Sequence, residues 1–155
     1  MQVNPADEIL PGLWLGNIVA SQSAEFLVKN NIRAVFNCTK NIPFHEAVRT
    51  QYRLPVDDNL KEEEIRNMAL WSFEVVYRLR LEHVKGPVLV HCHAGMQRSA
   101  CVVALYLIAL NKWKLEDAIQ FIKKKRPIAF TPAVNFMKSI QIFEKTYDEQ
   151  VRPKI

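Results

Sequence analysis

Short apolar runs bounded by turn residues predict the strands of this chain. The runs are Ile9 to Gly16, Ile32 to Thr39, Tyr52 to Val56 and Pro87 to Val90. Pro11-Gly12 divides the first run into two short strands, because this pair favours a turn. Lys40 to Thr50 has no such pattern and is predicted to be a loop.

Longer segments have apolar residues at the three- and four-residue spacing of an amphipathic helix. The longest runs from Lys61 to Val84, and Lys85-Gly86-Pro87 ends it. Three other helices are predicted from Ser21 or Ser23 to Asn30, from Ser99 to Asn111 and from Leu115 to Lys125. A last helix runs to about Asp148, with Thr131 as its N-cap and Pro132 as its first residue.

The alternation of strands and helices predicts an α/β fold. We expect a single domain over residues 1–155, with a central, mostly parallel sheet of about four to five strands. Helices should cover both faces of this sheet, because buried parallel strands need cover on each side.

Composition and charge limit the class of protein without naming a function. The chain is 49% apolar and 24% charged, as folded globular proteins are. It shows no secretory leader pattern and no apolar stretch of the roughly 20 residues that a membrane span needs. Three cysteines without a framework spacing favour an intracellular location, in the cytoplasm, the nucleus or both. The net charge of +5 suits anionic substrates in general.

The candidate chemistry lies in residues 91–99, His-Cys-His-Ala-Gly-Met-Gln-Arg-Ser, between a predicted strand and a predicted helix. Backbone N–H groups of such a loop and the helix N-terminus form an anion site, to which Arg98 adds a planar set of donors. Cys92 at the floor of this site should ionise readily, because helix N-termini and cations stabilise a thiolate. A thiolate beneath a bound phosphate predicts ester hydrolysis through a cysteinyl-phosphate intermediate.

Two other interpretations of the segment are open. Cys92 could be a buried structural cysteine beside a surface arginine, or His91, Cys92 and His93 could bind a metal ion. Adjacent strand residues point to opposite faces, so these three side chains cannot converge on one tetrahedral ion. We therefore expect no metal and no cofactor.

The pattern His91-Cys92-x-x-Gly95-x-x-Arg98-Ser99 resembles the signature of the cysteine-based protein phosphatases. Over about residues 8 to 147 the chain is similar to their small, atypical dual-specificity branch. The other supporting segments are Leu13 to Asn17 with Ala20, Ile32 to Thr39, Leu54 to Asp58 and Thr131 to Glu144.

The chain departs from the family pattern at two positions. Gln97 lies where many relatives have a small residue, so it could alter the shape of the pocket or the position of a water. Ala133 lies where many relatives have Asn, which should change only a local loop contact.

The resemblance implies a role for each loop residue. Cys92 would be the nucleophile, and Arg98 would hold two phosphate oxygens and stabilise the transition state. Ser99 would donate a hydrogen bond to the sulfur, or would merely cap the helix. The remaining loop residues would bind phosphate through backbone N–H groups, with their side chains at the rim: His93, Ala94, Gly95, Met96 and Gln97.

The leaving oxygen needs a proton from a nearby carboxylic acid, for which Asp57 and Asp58 are candidates. The family position favours Asp58, and strand alternation would turn the two carboxylates to opposite sides. Either residue could instead cap a turn or the helix that starts near Lys61.

Several neighbouring residues have two interpretations. His91 could orient the loop or be a satisfied core histidine, and Asn37 could brace the loop or merely end its strand. Relatives sometimes protect the thiolate as a reversible disulfide, which makes Cys38–Cys92 a candidate pair, whereas Cys101 should be inert core. Lys123 to Arg126 could dock acidic partners or RNA, but a solvated helix end is the more common role of such a run.

The predicted function is a protein phosphatase that acts on phosphotyrosine and on phosphoserine or phosphothreonine in a shallow pocket, with phosphoproteins as partners. An RNA 5′-phosphatase or a phosphoinositide phosphatase on the same scaffold is the main alternative. It is less favoured, because the loop has no additional lysine or arginine. The other alternative is a pseudophosphatase that binds phosphorylated substrates without turning them over. The sequence indicates no oligomeric state.

Overall fold

The computed structural model describes residues 3–151 and is built on one five-stranded sheet, in the order β1-β2-β5-β3-β4. The strands are Ala6–Leu10 (β1), Leu13–Gly16 (β2), Ala34–Asn37 (β3), Thr50–Arg53 (β4) and Val88–His91 (β5). β1 pairs antiparallel with β2, and the other three pairings are parallel. The predicted α/β class with a mostly parallel sheet is confirmed. Of the expected span 1–155, residues 1–2 and 152–155 lie outside the described residues.

The described part of the chain also contains six helices, and a short π-helical turn at Tyr147–Val151 comes after the last of them. They are Ile18–Ser21 (α1), Ala24–Lys29 (α2), Glu62–His83 (α3), Arg98–Asn111 (α4), Leu115–Lys125 (α5) and Met137–Thr146 (α6). Within residues 3–151, no helix combines the length and the apolar character that crossing a bilayer requires.

The two faces of the sheet bury different helices. Val35 of β3 and Leu89 of β5 pack with α1 and α2 in a small cluster. Their neighbours along the strands, Phe36 and Val90, face the main core, which α3 to α6 complete. Successive side chains of a strand thus point to opposite faces of the sheet, and both faces are covered by helices, as predicted. The nucleophile candidate follows β5, the central strand, and therefore lies at the middle of the carboxyl edge of the sheet.

The fourth predicted strand is shifted toward the N-terminus. It was expected over residues 52–56 and instead spans Thr50–Arg53. The Leu54 N–H still donates to the Asn37 carbonyl at 2.9 Å, but Pro55 has no N–H with which to continue the ladder. Residues 54–60 therefore leave the sheet as a loop, although Leu54 and Val56 remain buried.

The prediction that the last helix begins at Thr131 and Pro132 is wrong, since α6 begins at Met137. The Thr131 hydroxyl donates back to the Ile128 carbonyl at 2.7 Å instead of capping a following turn. Residues 131–135 form an irregular segment whose peptide groups bind a side chain of another loop. The short helix α1 was not predicted, although Asn17 caps it by accepting from the Ala20 N–H at 3.2 Å.

Candidate active site

Cys92 and Ser99 come together because strand β5 ends just before the loop and helix α4 begins just after it. The Cys92 side chain is 2% exposed, and its Sγ lies 3.1 Å from the Ser99 Oγ. The thiol therefore lies at the bottom of the site, with a hydroxyl beside it.

The carbonyl groups of the loop are bound from outside. The His93 and Met96 carbonyls accept from the N–H groups of Ile18 and Phe130, each at 2.9 Å. The Gly95 carbonyl accepts from Arg126 Nε at 2.9 Å. Because the carbonyl and the following N–H of a trans peptide point in opposite directions, the N–H groups after these carbonyls point into the loop. These bonds are compatible with the predicted ring of donors, which stays a prediction.

Two residues impose this loop shape. Gly95 has φ +67°, and a Cβ there would lie 2.5 Å from the Gly16 carbonyl oxygen. The Arg126 side chain is fully buried behind the loop, where its Nη1 lies 2.8 Å from Asp7 Oδ2. The prediction that Arg126 belongs to a solvated run is therefore wrong. Its guanidinium also donates to the Asn4 and Ala94 carbonyls.

The electrostatic surroundings favour the thiolate form of Cys92. Burial alone would raise the pKa of the thiol, since it penalises the charged form. Hydrogen bonds from the Ser99 hydroxyl and N–H, the charge of Arg98 and the Gly95 N–H outweigh burial and hold the pKa of Cys92 below its ordinary value. The site therefore contains a sulfur that ionises more readily than a free thiol.

Arg98 is placed to bind an anion above this sulfur. Its Nη1 donates to the Val56 carbonyl at 3.0 Å, which fixes the guanidinium across the cleft. Its Nε is buried and has no hydrogen-bond partner among the described residues. Cys92 and Arg98 line the same cleft, whose volume is about 370 Å³. An oxyanion in the cleft would satisfy that N–H.

The structure separates the two candidate acids. Asp58 lines the cleft with Cys92 and Arg98, and its Oδ1 accepts from Asn135 Nδ2 at 2.9 Å. Asp57 lines an adjoining cavity, and its Oδ2 lies 3.1 Å from Lys40 Nζ. The two carboxylates do diverge, but they lie in a loop rather than in a strand. Geometry thus favours Asp58, because it lines the cleft that contains Cys92 and Asp57 does not.

Comparison with known proteins decides the family. A family model described as "Dual specificity phosphatase, catalytic domain" matches residues 13–146. The chain belongs to the dual specificity phosphatase family. It is 34% identical over 139 residues to human dual specificity protein phosphatase 1, a match that covers 88% of this chain and 36% of that protein. The chain thus spans about a third of the length of this curated relative.

Solved structures of dual specificity phosphatases have the same fold. A variant of human DUSP28 matches with a TM-score of 0.83 and 26% identity, over 95% of this chain and 99% of that one. A mouse protein assigned to the dual specificity phosphatases, in complex with zinc tungstate, matches with a TM-score of 0.78 and 28% identity, over 94% and 90%. The resemblance to the small branch of the family is confirmed.

His91 lies in the sheet directly behind this dual-specificity phosphatase loop. Its side chain is buried, and its Nδ1 lies 3.2 Å from the Cys92 carbonyl oxygen, so this nitrogen carries the proton. Burial lowers the pKa of His91 to about 4, and the charges of Arg53 and Arg98 act in the same direction. His91 is therefore a neutral donor to the loop at physiological pH.

Asn37 and the other cysteines lie outside the cleft. Asn37 Nδ2 donates to the Ile42 carbonyl at 2.7 Å, and its Oδ1 accepts from the Thr39 hydroxyl at 2.6 Å. It braces residues 39–42, which favours the second of its two interpretations, an asparagine with satisfied hydrogen bonds at the end of its strand. Cys38 and Cys101 are buried free thiols whose pKa values burial raises. The Cys38–Cys92 disulfide stays a prediction.

The expectation that the Gln97 side chain faces the rim is wrong, because it is buried at 6% exposure. Its amide bonds to residues 131–135, the irregular segment before α6. Asn135, which was not predicted as a site residue, also lines the cleft. Gln97 and residues 131–135 are far apart in the chain, and no local sequence pattern links them. Sequence reasoning therefore had no signal for this contact.

Proposed function

We propose that this chain hydrolyses phosphate monoesters of tyrosine and of serine or threonine in phosphoproteins, through a cysteinyl-phosphate intermediate. The observation that carries the proposal is that the nucleophile candidate Cys92 and the acid candidate Asp58 line one cleft. A buried sulfur with a lowered pKa lies 3.1 Å from the Ser99 hydroxyl, and the Asp58 carboxyl group lines the same cleft. The mouse relative forms a complex with zinc tungstate, and tungstate is a tetrahedral oxyanion like phosphate.

In the first step, the Cys92 thiolate attacks phosphorus and a P–S bond forms. The P–O bond to the substrate breaks, and its electron pair stays with the leaving oxygen. Asp58, in its protonated form, gives that oxygen its proton. The loop N–H groups and Arg98 stabilise the charge on the three remaining phosphate oxygens.

In the second step, water attacks phosphorus and Asp58, now a carboxylate, takes one of its protons. The P–S bond breaks and the sulfur leaves with its electron pair. Ser99 stabilises the returning thiolate, because its hydroxyl can donate to the sulfur. Inorganic phosphate and the starting enzyme result, so protons and charges balance over the cycle.

The family supports the substrate class. Its curated relatives have the name dual specificity protein phosphatase. We infer the same breadth here, together with a catalytic unit over residues 1–155 and an intracellular location in the cytoplasm, the nucleus or both. A reducing compartment would keep the Cys92 sulfur in its reduced, reactive form.

The test compares the wild-type protein with Cys92→Ser, using p-nitrophenyl phosphate and two peptides that carry phosphotyrosine or phosphothreonine. We expect wild-type turnover of all three, no turnover by the variant, and phosphate on Cys92 when the reaction is quenched in acid and analysed by mass spectrometry. Cys101→Ala is the matched control, because this thiol is also fully buried but lies inside α4. Ordinary turnover by Cys92→Ser would refute the mechanism.

The same assay tests the alternative functions. Binding of phosphopeptide without turnover by the wild-type protein would indicate a pseudophosphatase. Faster hydrolysis of triphosphorylated RNA or of inositol lipids than of both peptides would reassign the substrate class.

A further inference from the structure

The Gln97 side chain joins the phosphate loop to residues 131–135. Its Nε2 donates to the Thr131 carbonyl at 3.2 Å and to the Ala133 carbonyl at 2.8 Å. Its Oε1 accepts from the Asn135 N–H at 3.0 Å. Both amide protons and the amide oxygen are thus engaged with one segment of backbone. This arrangement argues against the expectation that Gln97 positions a water molecule.

The same segment continues to the acid side of the cleft. Asn135 Nδ2 donates to Asp58 Oδ1 at 2.9 Å. Gln97, Asn135 and Asp58 all line the cleft above Cys92. A continuous series of hydrogen bonds therefore runs from the loop that would bind phosphate, through residues 131–135, to the carboxyl group on the opposite wall.

We propose that Gln97 and Asn135 are positioning residues that fix the Asp58 carboxyl group relative to the Cys92 sulfur. This inference rests on the proposed function. Asp58 is exposed and lies in a loop, so its side chain would otherwise sample several rotamers. The hydrogen bond from Asn135 selects one of them. It also occupies Oδ1 with a donor, which leaves Oδ2 as the oxygen that holds the transferable proton.

The chemistry supplies a readout that a purely structural role would not affect. A poor leaving group needs the proton from Asp58, whereas p-nitrophenolate leaves readily without it. Because kcat/KM reports only the steps up to the cysteinyl-phosphate, removing the Asn135 side chain should lower kcat/KM for phenyl phosphate about tenfold, the upper value for one ordinary hydrogen bond. It should leave kcat/KM for p-nitrophenyl phosphate nearly unchanged. The kcat values do not separate the two esters, because Asp58 also acts as the base in the second step, which both esters share.

The experiment is a double-mutant cycle with Asn135→Ala and Asp58→Asn, in which both esters are measured. If Asn135 acts through Asp58, Asn135→Ala has no further effect once the acid is gone. Gln97→Met, which keeps the length of the side chain and removes its three bonds, should show the same selectivity for phenyl phosphate. Lys138→Gln, an exposed change in the first turn of α6, is the control.

Three outcomes overturn the inference. One is an equal loss on both esters in Asn135→Ala, the second is an undiminished loss in the Asp58→Asn background, and the third is no loss at all. In each case, turnover by the wild-type protein would leave the proposed function intact. If neither ester is turned over by the wild-type protein, the proposed function fails and this inference fails with it. Thermal unfolding of each variant separates loss of fold from loss of positioning.

Discussion

The two walls of the cleft are held in different ways. The phosphate loop is fixed from behind by buried groups, above all the fully buried Arg126 and its partner Asp7. The acid wall, residues 54–60, begins in the core with the buried Leu54 and Val56. Its acid-bearing part, residues 57–60, is held by side chains at the surface. Lys40 and Asp57, which form one of its ion pairs, are 43% and 47% exposed. The phosphate loop is thus supported by buried groups, whereas the part of the other wall that bears the acid is held at the surface.

This difference matches what each wall has to do in the proposed reaction. The loop must present its N–H groups in one arrangement, and buried hydrogen bonds hold such an arrangement firmly. The acid must meet incoming substrate and exchange protons with water, so exposure is useful there. Mutations should therefore be costly on the loop side and mild at the surface contacts of the acid wall.

The largest effect is expected from Arg126→Gln. This change leaves Asp7 without its partner and leaves the Asn4 and Gly95 carbonyls without donors. We expect the free energy of unfolding to fall by about 3–5 kcal/mol, as when other buried ion pairs lose one partner. Phosphatase activity should be lost as well. Urea unfolding measures the loss, with the exposed Lys124→Gln as control. A loss under about 1 kcal/mol would mean that the loop is not held from behind.

The second prediction concerns His91, which lies behind the phosphate loop and should make the stability of the protein depend on pH. The pKa of His91 is about 4 in the folded protein and about 6.5 when unfolded, so between these values the unfolded state binds more protons. Stability conferred by neutral His91 is complete above pH 6.5 and is lost as the pH falls toward 4, by about 3 kcal/mol in total.

His91→Asn, whose amide can still donate to the Cys92 carbonyl, should remove this dependence. Unfolding in urea at several values between pH 4 and pH 7 gives the difference between the two proteins. Parallel curves for the wild-type protein and the variant would contradict a buried neutral histidine.

Ser99→Ala probes the sulfur directly. Loss of the hydroxyl removes a donor that lowers the pKa of Cys92, so the pKa rises and the acid limb of the rate profile moves to higher pH. Turnover should fall about tenfold to a hundredfold, the value of a hydrogen bond to a charged group. Alkylation of the thiol by iodoacetate as a function of pH measures the shift. Ser72→Ala, a buried serine in α3, should leave the profile in place.

The smallest effect is expected from Asp57→Asn. Asp57 contacts the exposed Lys40, and Lys40 keeps its 2.6 Å contact with Glu64. Turnover of phenyl phosphate should stay within about twofold, because surface pairs contribute little. Asp58→Asn, one residue along, should abolish the dependence of that reaction on a protonated acid. The reverse ranking of the two variants would exchange the roles of the two carboxylates.

The sequence was most informative where function depends on local geometry. Cys92, Gly95, Arg98 and Ser99 lie within one loop and the start of one helix, so their spacing alone predicts an anion site. The alternation of strands and helices likewise predicted the sheet and its two covered faces.

The sequence was least informative where the site depends on residues far apart in the chain. Arg126 ends a run of three lysines and has the appearance of a solvated residue, yet its guanidinium pairs with Asp7 near the other end of the chain. Gln97 and Asn135 meet only after the sheet has folded. The start of α6 was misplaced in the same region, since residues 131–135 are irregular and form hydrogen bonds with the distant Gln97.

The hydrogen bond from Arg126 to the Asn4 carbonyl has a practical consequence for handling the protein. Trimming the first seven residues would delete both N-terminal acceptors of a guanidinium that supports the reactive loop. Such a shortened product could lose catalysis while every residue that lines the cleft is still present. Expression designs should therefore keep Asn4 to Asp7 and attach any affinity tag upstream of them.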